Sequence, residues 1–160
     1  MTITEPTGTD LNVEGMCWLN VADLQAHPEN PRTSVGDLTE LTRSIRAMGV
    51  LQPLLVLPAN DDGVYYIAAG KRRHSASIKA DVTSVPCVIR DLTVAEIIEV
   101  GLSENANRTD LSLSEEVQAI ARLMSLDSGV SPAKLCKRIG RSQAWVRDRM
   151  AVTVLPERWR

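Results

Sequence analysis

Hydrophobic and polar positions change period several times along this chain, and each change marks an element. Leu38, Leu41, Ile45 and Met48 recur at helical spacing behind Asp37 and Glu40, and Gly49 closes the run. This predicts an amphipathic helix with Asp37 as its N-cap. Elsewhere in the first half the runs are shorter and β-rich. "MCWLNV" from Met16 is a short apolar strand, "PLLVLP" and "VYYIAA" read as a hairpin joined by "ANDDG", and "VPCVIRD" is a further strand. Pro28 and Pro31 in "HPENPR" predict a turn or an extended connection.

The second half is helical. Thr93 with Glu96 and Ser112 with Glu115 each make a capping box, and Ser131 before Pro132 is a cap residue followed by a first-turn proline. A boundary is expected near residues 106 to 112. The division is then a flexible polar tail over 1–15, a small mixed α/β domain over 16–108 and an all-α domain over 109–160, an α+β chain without internal repeats.

Charge narrows the function only by position. Eighteen basic residues face 20 acidic ones in 160, so no uniformly cationic coat exists, although a local patch is compatible with that balance. No run reaches the roughly 18 to 20 apolar residues that cross a bilayer, and the polar N-terminus lacks the basic start and apolar middle of a signal peptide. A cytoplasmic protein without a membrane partner is expected. Cys17, Cys87 and Cys136 form no CxxC pair and the only histidines are His27 and His74, a set suited to core packing in a reducing compartment rather than to zinc.

Two stretches carry candidate chemistry. In "AAGKRRHSASIKA", Gly70 leads from a strand into a helix that begins with Lys71, Arg72 and Arg73. A helix N-terminus offers unpaired amides and a positive dipole end, and glycine lets a phosphate approach the main chain. Cations there are unfavourable by about 0.3 to 1 kcal/mol each unless an anion is present. Two readings stand side by side, a phosphate site and a solvated basic turn. In "SENANRTDLSLSEE", Glu104 and Asn105 offer hard oxygen ligands with Arg108 close behind, which suits Mg²⁺ held between protein and phosphates; the same residues also suit a plain helix end and loop.

The last third has the spacing of a helix-turn-helix in "SPAKLCKRIGRSQAWVRDRMAV". Small Cys136 allows close helix contact, Gly140 makes the turn and Val146 returns to the core. Lys134, Lys137, Arg138, Arg141, Arg147 and Arg149 face Asp148 alone, a local charge of +5. That is the footprint of phosphate contacts, while Arg141, Ser142 and Gln143 sit where a recognition helix enters the major groove. Trp145 reads as a packing residue, because five aromatics and no Phe do not build a stacking platform.

Taken together, "NPR" at Asn30 to Arg32, "SIRAMGVLQPLLV" from Ser44, "GKRRHSA" from Gly70, "ENANRTDLSLSEE" from Glu104 and the helix-turn-helix resemble the ParB family of chromosome and plasmid partitioning proteins. The resemblance runs from about Asn30 to Pro156. It implies a ParB/sulfiredoxin-like α/β domain that binds CTP with Mg²⁺, followed by a helical domain that binds a specific duplex DNA site. Gly70, Arg72 and Arg73 would contact the triphosphate beside Lys71, Glu104 and Asn105 the metal, Arg108 a phosphate, and Gln52 would lie beside the nucleotide. It further implies a homodimer that clamps DNA and a nucleoid- or plasmid-associated location. The terminal "LPERWR" does not look like a finished domain, so a C-terminal dimerisation region is expected beyond it.

Two departures matter. Family members usually have Glu directly after the motif glycine, where this chain has Lys71, so at most a slow CTPase is expected. No Lys or Arg precedes Arg32, which weakens the case for a ParA-type ATPase partner. The alternatives are an ATP-using enzyme or nuclease on the same fold, or a simple DNA-binding repressor with a degenerate pocket. A sulfiredoxin-like enzyme needs a reactive cysteine in the phosphate motif and "GKRRHSA" has none; His74 as a catalytic base is the weaker reading beside a phosphate contact or surface role.

Overall fold

The computed structural model describes residues 15–104, 111–127 and 129–153. The expected polar tail before Gly15, Asn105, Arg108 and the terminal "LPERWR" lie outside the described residues. The chain divides into two compact units, one holding Ser34–Asp91 and the residues up to Pro28, the other holding Glu29–Thr33 and the residues from Leu92 onward.

The first unit is built on a five-stranded mixed sheet in the order β1-β5-β3-β4-β2. Its strands are β1 (Met16–Asn20), β2 (Leu24–Ala26), β3 (Leu54–Val56), β4 (Tyr65–Ala69) and β5 (Ser84–Ile89), and its helices are α1 (Thr39–Met48) and α2 (Lys71–Lys79). β3 and β4 form the expected antiparallel hairpin. Asn60 makes that turn: its side-chain oxygen accepts from the amides of Asp62 and Val64, and Gly63 takes the positive φ of +79°. β2 was not legible beforehand, since three residues cannot show a period; it is recruited to the edge by parallel pairing with β4. Leu54, Val56, Ile67, Val85 and Cys87 pack with Leu38 and Ile45 of the α1 segment and with Ala76 and Ala80 of α2.

The helix over 38–48 forms as expected, with its cap displaced by one residue. Leu38 holds the N-cap position without a side-chain cap bond, and the Asp37 carboxylate accepts from the Thr39 amide and hydroxyl. Those two bonds hold the Asp37 carboxyl below the usual carboxylate range. Cys17 and Cys87, remote in sequence, are cross-strand partners with reduced, buried thiols. Burial, followed by the neighbouring Cys17, pushes the Cys87 thiol up to about 12, so it is inert core material.

The second unit comprises α3 (Val94–Glu104), α4 (Leu113–Leu126), α5 (Pro132–Ile139) and α6 (Gln143–Thr153). Both capping boxes form, at Thr93 with Glu96 and at Ser112 with Glu115, and the Ser131 hydroxyl accepts from Lys134 ahead of Pro132. The compact units divide earlier in the chain than residues 106 to 112, where a boundary is expected. Ile98 and Leu102 of α3 pack with Ile120, Leu123, Leu135, Ile139 and Val146, so the division falls between Asp91 and Leu92. A capping motif marks where a helix starts and carries no information about which core it joins.

Glu29–Thr33 is a strap that joins this helical unit through three contacts. Arg122 donates from Nε to both Glu29 carboxylate oxygens at 3.1 Å and from a terminal nitrogen at 2.8 Å. Pro31 lies against Gly101 of α3 so closely that an added Cβ would sit 2.6 Å from the proline Cδ. The Thr33 amide donates to Glu115 Oε1 at 2.8 Å, and its hydroxyl donates to the same oxygen. Partial burial works against ionisation of Glu115, but the bonds from Thr33 and Ser112 outweigh it and hold the carboxyl at about 2.

Gly101→Ala should destabilise the chain by about 1–3 kcal/mol through overpacking against Pro31, despite the roughly 1 kcal/mol by which Ala is the better helix former. Urea denaturation followed by circular dichroism checks it, and a neutral or stabilising substitution would remove the close contact. Because the Glu115 pKa is depressed on folding, its contribution is complete above its ordinary value of 4.5 and is lost as pH falls toward about 2. The acid limb of stability against pH should therefore flatten in Glu115→Gln.

Candidate functional site

The stretch from β4 into α2 builds the first candidate site. Ala68 and Ala69 end the strand in the core, and Gly70 turns the chain with φ +103° and ψ 18°. A Cβ at Gly70 would stand 2.9 Å from Leu54 Cγ and 3.3 Å from Arg73 Cζ, so both conformation and space call for glycine. No side chain caps the first turn, which holds Lys71, Arg72 and Arg73 and no acid. An α-helix leaves the amides of its first turn without partners inside the helix, which fits a phosphate.

The two arginines are already engaged within the same unit. Arg72 donates to the carbonyls of Val35 and Asp37, the latter at 2.8 Å. Arg73 donates to the carbonyls of Gln52, at 2.7 Å, and Pro53. Hydrogen bonds to a charged group contribute about 1.5–3 kcal/mol each, more than the 0.3 to 1 kcal/mol penalty for a cation at a helix N-terminus. The basic turn is thus tolerated without a ligand, and the dipole argument for a bound anion loses force. A guanidinium has five N–H donors, however, so donors remain on Arg72 after its two bonds. The same bonds bring Gln52 beside the start of α2, a neighbourhood that spacing alone did not specify. Lys71 is half-buried, and His74 faces the Val21 carbonyl at 3.1 Å, which gives it a packing role.

Glu104 is the last residue of α3. Its expected companions Asn105 and Arg108 lie outside the described residues, and among the described residues no group of three or more His, Cys, Asp or Glu could hold a metal.

The second candidate site is the α5–α6 pair. Gly140 closes α5 in the left-handed conformation with φ +66°, and the Gly140 and Arg141 amides both return to the Cys136 carbonyl. Ser142 starts α6 by accepting from the Trp145 amide at 3.1 Å, and Leu135, Ile139 and Val146 are fully buried. Lys134, Lys137, Ser142, Gln143 and Arg147 are exposed, and Arg141 is half-buried.

Two of the residues expected to face DNA are instead held by carboxylates. Arg138 pairs with Glu99 of α3 at 2.6 Å, and Arg149 donates to Glu116 Oε2 of α4 at 2.8 and 2.9 Å. Glu99 and Glu116 are buried, and burial pushes the Glu99 carboxyl up against the opposing pull of Arg138. Removing either arginine would strand a buried acid, so both are structural anchors and the local charge of the face is smaller than the sequence count. Trp145 packs against the helical core with the guanidinium carbons of Arg141 and Arg149 at 4.7 and 4.4 Å from its ring centre. Sequence reasoning passed over Glu99, Glu116, Glu29 and Arg122. A buried-side acid within a helix was the available signal, but its partner was not.

Residues 6–106 match the ParB N-terminal domain, and the chain belongs to that family. It is 37% identical over 144 residues to the chromosome-partitioning protein Spo0J of Thermus thermophilus, covering 89% of this chain and 52% of that protein. It is 33% identical to the nucleoid occlusion protein of Bacillus licheniformis, covering 92% of this chain and 53% of that one. The chain spans about half the length of the curated relatives it matches. Among solved structures it is similar to the C-terminally truncated chromosome-partitioning protein ParB of Caulobacter crescentus. The form complexed to the centromeric parS site matches with a TM-score of 0.66 at 33% identity, over 88% of this chain and 73% of that one. The form complexed with CTP-gamma-S matches with a TM-score of 0.55 at 35% identity, over 91% and 82%.

Gly70→Ala combines positive-φ strain with overpacking and should cost about 1–3 kcal/mol in stability. Thermal unfolding of the purified variant checks it; an unchanged melting temperature would mean that Leu54 yields freely and that the glycine is not required by the fold.

Proposed function

We propose that this protein is a CTP- and Mg²⁺-gated, sequence-specific duplex DNA-binding protein of the ParB partitioning type, with two copies engaging as a clamp on DNA. The observation that carries the reading is the uncapped α2 N-terminus behind Gly70, in a chain of the ParB N-terminal domain family. It is supported by the Caulobacter crescentus relative, whose structures are complexed with CTP-gamma-S and with the parS site.

In this reading the amides of the α2 first turn bind phosphate oxygens, and Gly70 makes the turn that starts the helix. Arg72 supplies donors left over from its bonds to carbonyls, and Arg73 contacts the triphosphate with its positive charge. Gln52, placed at the start of α2 by Arg73, borders the nucleotide. Glu104 and Asn105 are the magnesium ligands and Arg108 a phosphate contact; the metal, when bound, neutralises phosphate charge. In the helical unit, α5 and α6 act as a helix-turn-helix, with Lys134, Lys137 and Arg147 on phosphates and Arg141, Ser142 and Gln143 toward base edges. A second reading, a DNA-binding repressor that takes no nucleotide, draws on the engagement of both arginines with the chain's own carbonyls.

The deciding experiment titrates CTP, ATP, GTP and UTP with Mg²⁺ against the protein, with and without duplex DNA. Selective CTP binding that changes in the presence of DNA is expected, and no nucleotide binding would leave the repressor. Arg73→Ala should weaken CTP binding by about 1.5–3 kcal/mol while basal DNA affinity stays unchanged. An equal loss of both would count against two separate sites.

Lys71 sets the expected turnover. A protonated lysine stabilises phosphate charge in ground and transition states alike and cannot orient an attacking water through a carboxylate. Slow CTP hydrolysis is expected, with Lys71→Glu weakening binding and raising phosphate release per bound nucleotide. Phosphate release at saturating CTP measures both, and brisk turnover by the natural chain would sink the argument.

A further inference from the structure

We propose that the cavity between α1 and the end of α2 is a binding site for a small phosphate compound, held by Arg43, Arg46 and Lys79 and separate from the start of α2. The cavity lies wholly within the first unit, has a volume of about 340 Å³ and is lined by Leu38, Thr39, Thr42, Arg43, Arg46 and Lys79. None of these residues belongs to the nucleotide, metal or DNA sets described above. Its wall follows from the helical period: Thr39, Thr42, Arg43 and Arg46 are spaced three and four apart, so they form one stripe of α1. The neighbouring stripe, with Leu38 and Ile45, is buried in the sheet core and fixes the rotation of the helix.

The charged groups that line this cavity are of one sign. Among the described residues Arg43, Arg46 and Lys79 form no salt bridge, with Glu40 or with any other acid. The Asp37 carboxylate accepts from the Thr39 hydroxyl and amide, and those bonds, with the charge of Lys79 added to them, hold it below the usual carboxylate range. Arg46 donates from one terminal nitrogen to the Lys79 carbonyl at 2.9 Å. That bond ties the two helices together and uses one of five N–H donors. Arg43 makes no hydrogen bond among the described residues. Thr42 lines the same cavity, and its buried hydroxyl oxygen has no hydrogen-bond partner. Buried polar atoms are nearly always bonded, so one left over marks a place where a further group completes the bonding.

Three cations lining one hollow repel each other, and a bound anion relieves that repulsion. A phosphate monoester brings about 1.5 to 2 negative charges near neutral pH and three strong acceptor oxygens. These match the guanidinium fork of Arg43, the remaining donors of Arg46 and the point charge of Lys79. A single carboxylate brings one charge and two oxygens, and leaves the set unbalanced. The volume is near the low end of the roughly 300 to 1,000 Å³ typical of small-molecule pockets, enough for a phosphate with a compact organic group. A duplex backbone is better met by a row of cations along an open surface than by three that share one cavity. All three side chains are exposed, so binding is expected to be weak and to fall as salt rises.

The test follows the backbone amides of the full chain by proton–nitrogen correlation spectra during titration with inorganic phosphate and with ribose 5-phosphate, at ionic strength held fixed with chloride. Saturable shifts centred on residues 39–46 and on Lys79 are expected with at least one probe. Tighter binding of the sugar phosphate assigns the site to a monoester, and tighter or equal binding of inorganic phosphate assigns it to the free ion. Arg43→Gln and Lys79→Gln should each weaken binding about tenfold. Both replace exposed side chains, and an otherwise unchanged spectrum shows that each variant folds. Shifts that do not saturate, shifts reproduced by chloride alone, saturable shifts confined to residues 70–73 or to the helical unit, or full affinity in either variant overturns the proposal. Shifts at residues 39–46 that a duplex produces and neither phosphate probe does would overturn it as well, in favour of a nucleic-acid surface.

Discussion

One carboxylate organises the helical unit. Glu115 gives one oxygen to Ser112, closing the capping box of α4, and the other to the amide and hydroxyl of Thr33, eighty-two residues earlier in the chain. A helix start and a strap from the opposite end of the sequence are thereby tied to one ionised group. With Glu29 on Arg122 and Pro31 on Gly101, the five residues Glu29–Thr33 become part of a unit whose other members all run from Leu92 onward. The chain consequently passes between its two units at three points rather than one.

The basic residues of this chain divide by partner rather than by charge. Arg72 and Arg73 bond to carbonyls, Arg122, Arg138 and Arg149 to carboxylates, and Arg46 to the Lys79 carbonyl. Lys134, Lys137 and Arg147 stand on the exposed surface of α5 and α6. A buried acid converts an arginine from a ligand-facing cation into a structural one, because separating the pair would leave a desolvated charge that costs several kcal/mol. For that reason a count of Lys and Arg along a helix overstates the field offered to an anionic partner. The residues that keep their charge for a partner are those whose neighbours in space are not acids.

Both candidate sites share a design in which glycine makes the turn and the helix behind it begins with polar donors. At Gly70 Leu54 and Arg73 pack into the space that a side chain would take; at Gly140 no atom crowds the position, and the left-handed φ alone calls for glycine. The distinction separates a glycine needed for a close approach from one needed for a bend. The first kind fits a turn packed tightly against its own unit, the second a site where one helix must be aimed against another.

Local chemistry was legible from the residues alone: the hairpin turn at Asn60, the helix starts at Thr93, Ser112 and Ser131, the glycine stops, and the family resemblance that the five motifs carry. Each depends on groups within a few residues of one another, so spacing suffices. Only the tertiary structure decided that α3 joins the helical core, that Cys17 and Cys87 lie opposite each other, that β2 is a strand, and that Glu99 and Glu116 claim Arg138 and Arg149. These outcomes depend on which buried surfaces meet, and on the cost of a buried charge without a partner, neither of which has a fixed distance along the chain. Trp145 shows both sides of the limit: its four-residue spacing from Arg141 and Arg149 stands in the sequence, but the acid that anchors the stack comes from α4, thirty-three residues away from Arg149.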